Sequence, residues 1–169
     1  WASDDLLAVA NRDTGSISLV DAKKRVVLGE VVVGNSLSSL SSLPGTPFLV
    51  AADEESNELL LFEHKGATLA VRDRITVPHS PVNALVSNDN SFAVVASLWA
   101  RQVSLIRVDV DRGRLFPERV TNLSFPPRWQ WMDAVGRKLV LADAFSDKVA
   151  ALSLPDLKLV SLRTLPGHN

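Results

Sequence analysis

The stretch VPHSPVNALVSNDNSFAVVASLWARQVSLIRVD, from Val77 to Asp109, is one unit of an internal repeat. It reads in order as a short strand at Pro81 to Ser87, a polar turn at Asn88 to Asn90, an apolar run at Phe92 to Ala96, a loop at Ser97 to Gln102 and an alternating run at Val103 to Val108. Short apolar runs bounded by polar turns predict β-strands. The same order recurs before and after this stretch.

The repeat holds in two registers. An alanine closes an apolar run in each of four units, at Ala10, Ala52, Ala96 and Ala142, and a second strand opens at a constant distance from it, at Ile17, Leu59, Val103 and Val149. In a second register Val33, Val77, Leu123 and Leu165 each end a strand. The period of about 44 residues, with four short strands in each unit, is typical of β-propeller blades.

We therefore predict an all-β chain of about four four-stranded blades, with almost no helix, forming one partial propeller domain. The predicted blades span approximately residues 1–33, 34–77, 78–123 and 124–165, and residues 166–169 begin the next blade. The first blade lacks its inner strand. The chain is expected to be part of a larger ring, typically of seven blades, and a closed four-bladed ring is the alternative.

The third unit resembles the YVTN-type propeller repeat, a WD40-like family. The positions that match its pattern are Val77, Pro81, Ala84, Val86, Ser87, Asp89 and Ala96. The fourth unit departs from the pattern at Asp133, where the family has Ser, and the second has Leu37 where the third has Pro81. The resemblance covers nearly the whole chain and implies a fold much more firmly than a function.

Composition excludes several classes of function. The formal net charge is −1, which argues against a nucleic-acid surface as the main role, and no apolar run is long enough to span a bilayer. Cysteine is absent, so this chain cannot attach haem covalently or form thiolate metal sites. We expect no cofactor within it. The first residue is Trp1, which looks like a processed or excerpted start.

Candidate binding residues lie on the loops predicted to share one rim of the propeller. They are Asn35, His79, Trp99, Arg101, Arg128 and His168. His79 is the strongest single candidate for a binding residue. The alternative, which is more common, is a histidine that lies in a turn and has no binding role. An exposed Trp99 with Arg101 would suit a protein contact, since these residue types dominate binding hot spots, and Trp99 capping the neighbouring blade is the alternative.

Other features of the rim are assigned structural roles. Trp129 and Trp131 alternate on an inner strand and are expected to pack in the core more than to stack on a ligand. The acidic loop that begins at Asp53 is predicted to be solvated, because it lacks the pattern of a cation cage. The chain contains no recognised catalytic motif, neither a Gly-rich phosphate loop nor a nucleophile elbow.

The predicted function is a non-catalytic scaffold that binds a protein partner, an adjoining domain or the remaining blades. The segment Leu165–Asn169, LPGHN, resembles propellers of bacterial proteins that also carry a cytochrome c peroxidase-like domain. That resemblance implies a periplasmic or extracellular protein with haem on a separate domain and a possible role in electron transfer. The alternative is a propeller enzyme resembling lactone hydrolases or haem-d1 reductases, with His79, Arg128 and a carboxylate at the channel mouth.

Overall fold

The computed structural model of the chain describes residues 6–133 and 135–166, and these form fifteen strands without a helix. In chain order the strands are β1 (Leu6–Asn11), β2 (Ser16–Asp21), β3 (Val26–Val32), β4 (Leu37–Ser42), β5 (Phe48–Asp53), β6 (Glu58–Lys65), β7 (Thr68–Thr76), β8 (Pro81–Val86), β9 (Phe92–Ser97), β10 (Gln102–Asp109), β11 (Arg114–Asn122), β12 (Pro127–Met132), β13 (Lys138–Asp143), β14 (Lys148–Ser153) and β15 (Lys158–Thr164). Among these residues there is accordingly no helix able to cross a membrane.

The strands form four separate antiparallel sheets, each a meander of consecutive strands. The first sheet has three strands, β1-β2-β3, and the others have four, β4-β5-β6-β7, β8-β9-β10-β11 and β12-β13-β14-β15. We call them the first to fourth blades. The strand that opens each four-stranded blade is its inner strand, and the inner strands β4, β8 and β12 pack side by side. This arrangement confirms the predicted partial propeller, and the described residues of the first blade, from Leu6 onward, form three strands.

Apolar side chains between successive blades form the core. One buried cluster joins the first and second blades, another the second and third, and another the third and fourth. Ala52 and Ala96 are fully buried, each at the junction with the following blade. In the second and third blades both faces are apolar because each face packs on a neighbouring blade, which explains why β5 and β9 are nearly continuous apolar runs.

Candidate functional site

Two sets of loops meet at one edge of the blades, and we call this edge the rim. Main-chain bonds tie the loop between the second and third strands of a blade to the loop that leaves its outer strand, as from Val77 N to Asn57 O at 2.9 Å and from Leu123 N to Arg101 O at 2.7 Å. In the first blade Gly15 has a φ of +61°, and a Cβ there would lie 2.1 Å from Gly34 O. Only glycine fits this close approach.

Asp53 organises the rim loop of the second blade from a fully buried position. Its carboxylate accepts hydrogen bonds from the backbone N–H of Asn35 at 2.8 Å and of Ser36 at 3.0 Å, and from the Ser56 hydroxyl at 2.8 Å. Burial by itself would raise the pKa of Asp53, but these hydrogen bonds outweigh it and hold the pKa below its ordinary value. The expectation of a solvated acidic loop is therefore wrong for this residue, because the carboxylate holds the loop closed.

Glu54 links three blades at the rim. It forms an ion pair with Arg12 of the first blade and accepts a hydrogen bond from the Ser80 hydroxyl of the third blade at 2.7 Å. Burial would raise the pKa of Glu54, but the bonds from Ser80 and Arg12 and the positive charges of Arg12 and Arg128 lower it. An ionised carboxylate held this way connects blades and is a weak proton acceptor.

His79 is held by its neighbour in the second blade. Its Nδ1 lies 3.0 Å from Asn57 Oδ1, and the same oxygen accepts the Ser80 N–H at 2.8 Å. Because that oxygen is an acceptor, His79 Nδ1 carries the proton and donates. Asn57 and Ser80 both adopt positive φ, 57° and 59°, so this interlocked turn has an unusual backbone on both sides.

An exposed aromatic pair lies on the adjoining loops of the third and fourth blades. Trp99 stacks on Phe145 with ring centroids 5.7 Å apart and an interplanar angle of 23°. Trp99 is 58% exposed and Phe145 is 69% exposed. Arg101, also exposed, follows on the same loop at a φ of 54°. Trp99 thus contacts the neighbouring blade and still leaves a large apolar surface open to solvent.

The structure places the candidate residues in two groups. His79 lies beside the Glu54 network, to which Arg128 contributes charge, whereas Trp99 and Arg101 belong to the aromatic surface. Asn35 donates from its side chain to Ser56 Oγ at 2.9 Å and supports the second-blade loop. His168 lies outside the described residues. The groups adjoin, since Leu98 N donates to Ser80 O at 2.8 Å.

Sequence reasoning missed three participants in these groups. Arg12 and Glu54 occupy the same position of the repeat, two residues after Ala10 and Ala52. Their opposite charges at equivalent positions of adjacent blades were the sequence signal that could have predicted the ion pair. Phe145 gave no comparable signal, because its role depends on the distance between two blades. Trp129 and Trp131 were expected in the core, and this prediction is wrong. They are 71% and 58% exposed and lie on the face of the fourth blade that is turned away from the third blade.

The described part of the chain offers no group of three or more acidic or histidine side chains that could hold a metal ion. The carboxylates Asp53 and Glu54 already have hydrogen-bond donors around them. The rim is therefore a set of interlocked loops that presents exposed Trp, Phe, His and Arg side chains.

The chain folds as part of a β-propeller, and comparison with solved structures supports this class. It superposes on hydrazine synthase from Kuenenia stuttgartiensis with a TM-score of 0.80 at 21% identity, covering 95% of this chain and 46% of that one. It superposes on the β-propeller domain of Cps50 (Swd1) from Myceliophteria thermophila with a TM-score of 0.78 at 12% identity, covering 98% and 57%.

A candidate 6-phosphogluconolactonase from Bacteroides fragilis is similar to the chain with a TM-score of 0.77 at 14% identity, covering 95% of this chain and 55% of that one. The chain thus spans about half the length of the structures it matches. At these identities the likeness shows the fold alone. No protein-family profile matches the chain, and no curated protein sequence matches it.

Proposed function

We propose that the chain is a non-catalytic binding module whose rim contacts a protein segment through Trp99 and Phe145. The observation that carries the proposal is the stacked pair itself, two large rings that are 58% and 69% exposed although they touch. Aromatic surface of this kind supplies much of the energy of protein contacts, because the rings bury a large area at little cost in side-chain entropy.

The partner is expected to offer an apolar or aromatic side chain next to a carboxylate. The apolar group would pack on Trp99 and Phe145, and the carboxylate would pair with exposed Arg101 on the same loop. Arginine pairs with carboxylates in a planar, two-bonded geometry, which adds direction to the contact. The positive φ of Arg101 sets the backbone of this loop and therefore where the guanidinium can reach.

The experiment is a selection of random displayed peptides on the wild-type chain, with counter-selection on a Trp99→Ala/Phe145→Ala variant. Peptides that pair an aromatic or aliphatic residue with an acidic one should be enriched, and their affinity should fall about 30-fold in the variant. Val27→Ala removes an exposed apolar side chain at the end of β3 away from the rim, and this matched control should change nothing. Peptides that bind the variant equally well would refute the proposed surface.

A hydrolase with its site at Glu54, His79 and Arg128 is the second candidate. It is favoured by the meeting of these three groups at the rim and by the likeness to a candidate lactonase. Against it stand the lowered pKa of Glu54 and its engagement by Arg12 and Ser80. A general base works best with a pKa near the working pH.

Hydrolysis of 6-phosphogluconolactone separates the two functions. We expect the wild-type chain to leave the spontaneous rate unchanged. A faster rate that disappears in both Glu54→Gln and His79→Ala, but persists in Trp99→Ala, would replace the binding module by the enzyme.

The proposal also includes the setting of the module. We propose a YVTN-type propeller in an exported bacterial protein, with any haem and electron transfer on a separate domain. What supports this is the repeat pattern of the third unit and the segment from Leu165 to Asn169. Reading the coding sequence on both sides for further repeat units, an export signal and a Cys-x-x-Cys-His motif tests it. Flanking sequence with none of these would remove this part of the proposal.

A further inference from the structure

The outer edge of the fourth blade differs from the same edge of the other blades. Each outer strand pairs with its sheet on one side only, and each has a register shift at the same place in the repeat. The four residues at this shift are 27–30 in β3, 71–74 in β7, 117–120 in β11 and 159–162 in β15. The corresponding residues can therefore be compared directly.

Natural proteins protect an exposed sheet edge from pairing with charged residues and proline. Segment 71–74 has three charged residues, 117–120 has two and a proline, and 27–30 has one, whereas 159–162, Leu-Val-Ser-Leu, has none. The free side of β15 is directed away from the inner strands, which pack on one another around the axis. Blades that precede or follow the described ones therefore leave this edge open.

A groove opens beside this edge, between the third and fourth blades. Its volume is about 240 Å³, and buried Phe125 and Leu152 line its inner part. Leu159 and Leu162 line its fourth-blade side, where they are 60% and 45% exposed. Both face the third blade, because they pair with Leu152 and Ala150, which belong to the buried cluster between these two blades. The groove thus offers uncovered apolar surface at a junction whose two blades are both described.

The groove and the edge together determine which kind of partner fits. Pockets for small-molecule ligands usually measure roughly 300–1,000 Å³, and a groove of about 240 Å³ is better matched to a few side chains. A segment paired with β15 has its alternate side chains on the same face as Leu159 and Leu162, and therefore over the groove. An extended protein segment meets both conditions, whereas a helix would leave the backbone groups of β15 unpaired.

Arg119 on β11 indicates the charge of the partner. It occupies the repeat position of Asp73, which in the preceding junction accepts the Leu115 N–H and pairs with Arg114. Arg119 is exposed and lies on the same face of β11 as Thr121, which lines the groove. None of the ion pairs between described residues includes Arg119. A carboxylate of the partner would supply the missing opposite charge.

We propose that β15 binds an extended segment of a protein partner, which adds a strand to the fourth blade and places apolar side chains in the groove. The segment alternates apolar and polar residues and has an acidic residue that pairs with Arg119. Backbone pairing supplies affinity, and the groove selects the side chains. This contact does not depend on the proposed rim surface of Trp99 and Phe145.

A selection of random displayed peptides on the Trp99→Ala/Phe145→Ala chain tests the proposal without the rim surface. Counter-selection uses the same chain with Ser161→Asp/Leu162→Arg added, which are the residues of β7 at these positions, so the blade should fold. Enriched peptides should alternate apolar and polar residues and include an acidic one, and their affinity should fall about 30-fold in the counter-selection chain. Failure to enrich such peptides, or equal binding to both chains, overturns the proposal.

Methylation of the peptide backbone separates strand pairing from docking of side chains. A peptide methylated on the amides that face β15 keeps its side chains but loses these hydrogen-bond donors, and its binding should be lost. Methylation of the intervening amides should leave binding unchanged, and the unmodified peptide should slow hydrogen exchange of the β15 amides. Equal binding of the two methylated peptides would mean that side chains alone enter the groove, and the added strand would be wrong.

Charge reversal tests the role of Arg119. Arg119→Glu should weaken the acidic peptides about fivefold, and exchanging their acidic residue for lysine should restore the affinity. Arg25→Glu, in the turn between β2 and β3, makes the same change in net charge and should have no effect. Equal losses in both variants would remove the specific pair with Arg119.

Sedimentation of the wild-type chain without peptide tests a second copy as the occupant. We expect no association that depends on the β15 edge. Association that Ser161→Asp/Leu162→Arg abolishes would show that two β15 edges pair with each other, and the proposed partner segment would be replaced by a second copy of the chain.

Discussion

The junction between the second and third blades differs from the junction between the third and fourth, although both follow the same register. At the former, hydroxyl groups of β4 bond to the backbone of β8, with Ser38 Oγ to Pro81 O and Ser41 Oγ to Ala84 O both at 2.7 Å. At the latter, the inner strand of the following blade, β12, makes a longer bond, from Gln130 Nε2 to Val94 O on β9 at 3.2 Å. Small hydroxyl residues allow close approach and polar links, which large side chains prevent.

The outer parts of the two junctions differ in the same sense. Asp73 on β7 accepts the Leu115 N–H at 2.8 Å and pairs with Arg114, which fastens the second blade to the third. Between the third and fourth blades a groove of about 240 Å³ remains open, lined by Phe125, Leu152 and other apolar residues. One repeat pattern thus yields a polar, closed junction and an apolar, more open one, and the difference depends on a few positions per strand.

The largest expected effect on the free energy of unfolding comes from alanine substitutions that create a cavity at the same repeat position of the two junctions. Ile106 and Leu152 occupy the same register position, each facing the preceding blade and each 1% exposed. Ile106→Ala should lower the free energy of unfolding by about 3–5 kcal/mol and Leu152→Ala by about 2–3 kcal/mol, because the cost is smaller where the surroundings can relax. Leu152 borders the groove and Ile106 does not. Urea unfolding of both variants measures this, and equal losses would remove the distinction between the junctions.

The rim provides the next comparison, between Asp53 and Asp143 at the same repeat position. Both have a lowered pKa, but Asp53 is fully buried and accepts two backbone N–H groups of a distant loop, whereas Asp143 bonds to its own loop at Phe145 N, 3.0 Å away, and Ser146. Asp53→Asn should lower the free energy of unfolding by about 1–3 kcal/mol, because a buried donor then loses its charged acceptor.

The pH dependence of stability follows from the sign of these shifts. A carboxyl group whose folded pKa is lowered stabilises the fold above its unfolded pKa, about 4, and this stabilisation is lost as pH falls through the folded pKa. Thermal unfolding from neutral to acidic pH should therefore be less pH-dependent in Asp53→Asn than in the wild type. The Asp143→Asn control should change the profile less. A wild-type profile that is flat below pH 4 would contradict the role of Asp53.

The fold could be predicted from the sequence because the same order of short apolar strands and polar turns recurs around Ala10, Ala52, Ala96 and Ala142. These patterns are local, and each blade needs them to form its strands. It was insufficient for the site because contacts such as Glu54 with Ser80 join loops of different blades. The same position holds Arg12, Glu54, Leu98 and Ala144 in the four blades, so its role cannot be transferred from one unit to another. Trp129 and Trp131 were placed in a core that only a following blade could provide.

A smaller effect is expected from the hydroxyl links themselves. Ser41→Ala removes a 2.7 Å bond across the second and third blades and should lower the free energy of unfolding by about 1 kcal/mol. Thr121→Val removes only a 3.4 Å contact from Thr121 Oγ1 to Leu157 O between the third and fourth blades. This substitution should leave the free energy of unfolding nearly unchanged. Hydrogen exchange should show faster opening of β8 in Ser41→Ala. Unchanged protection there would mean that apolar contacts alone hold this junction.

The smallest effect on stability is expected at Trp99 and Phe145, the only stacked aromatic pair identified between two blades of the described chain. Both rings are more than half exposed, so little apolar area is lost on truncation, and each single alanine variant should cost about 0.5–1 kcal/mol. A double-mutant cycle should give a coupling of about 0.5 kcal/mol, the lower end for ring pairs, since such pairs contribute beyond their buried area. A coupling of zero would mean that the rings are adjacent without stabilising the junction, and their exposure would then be explained by binding alone.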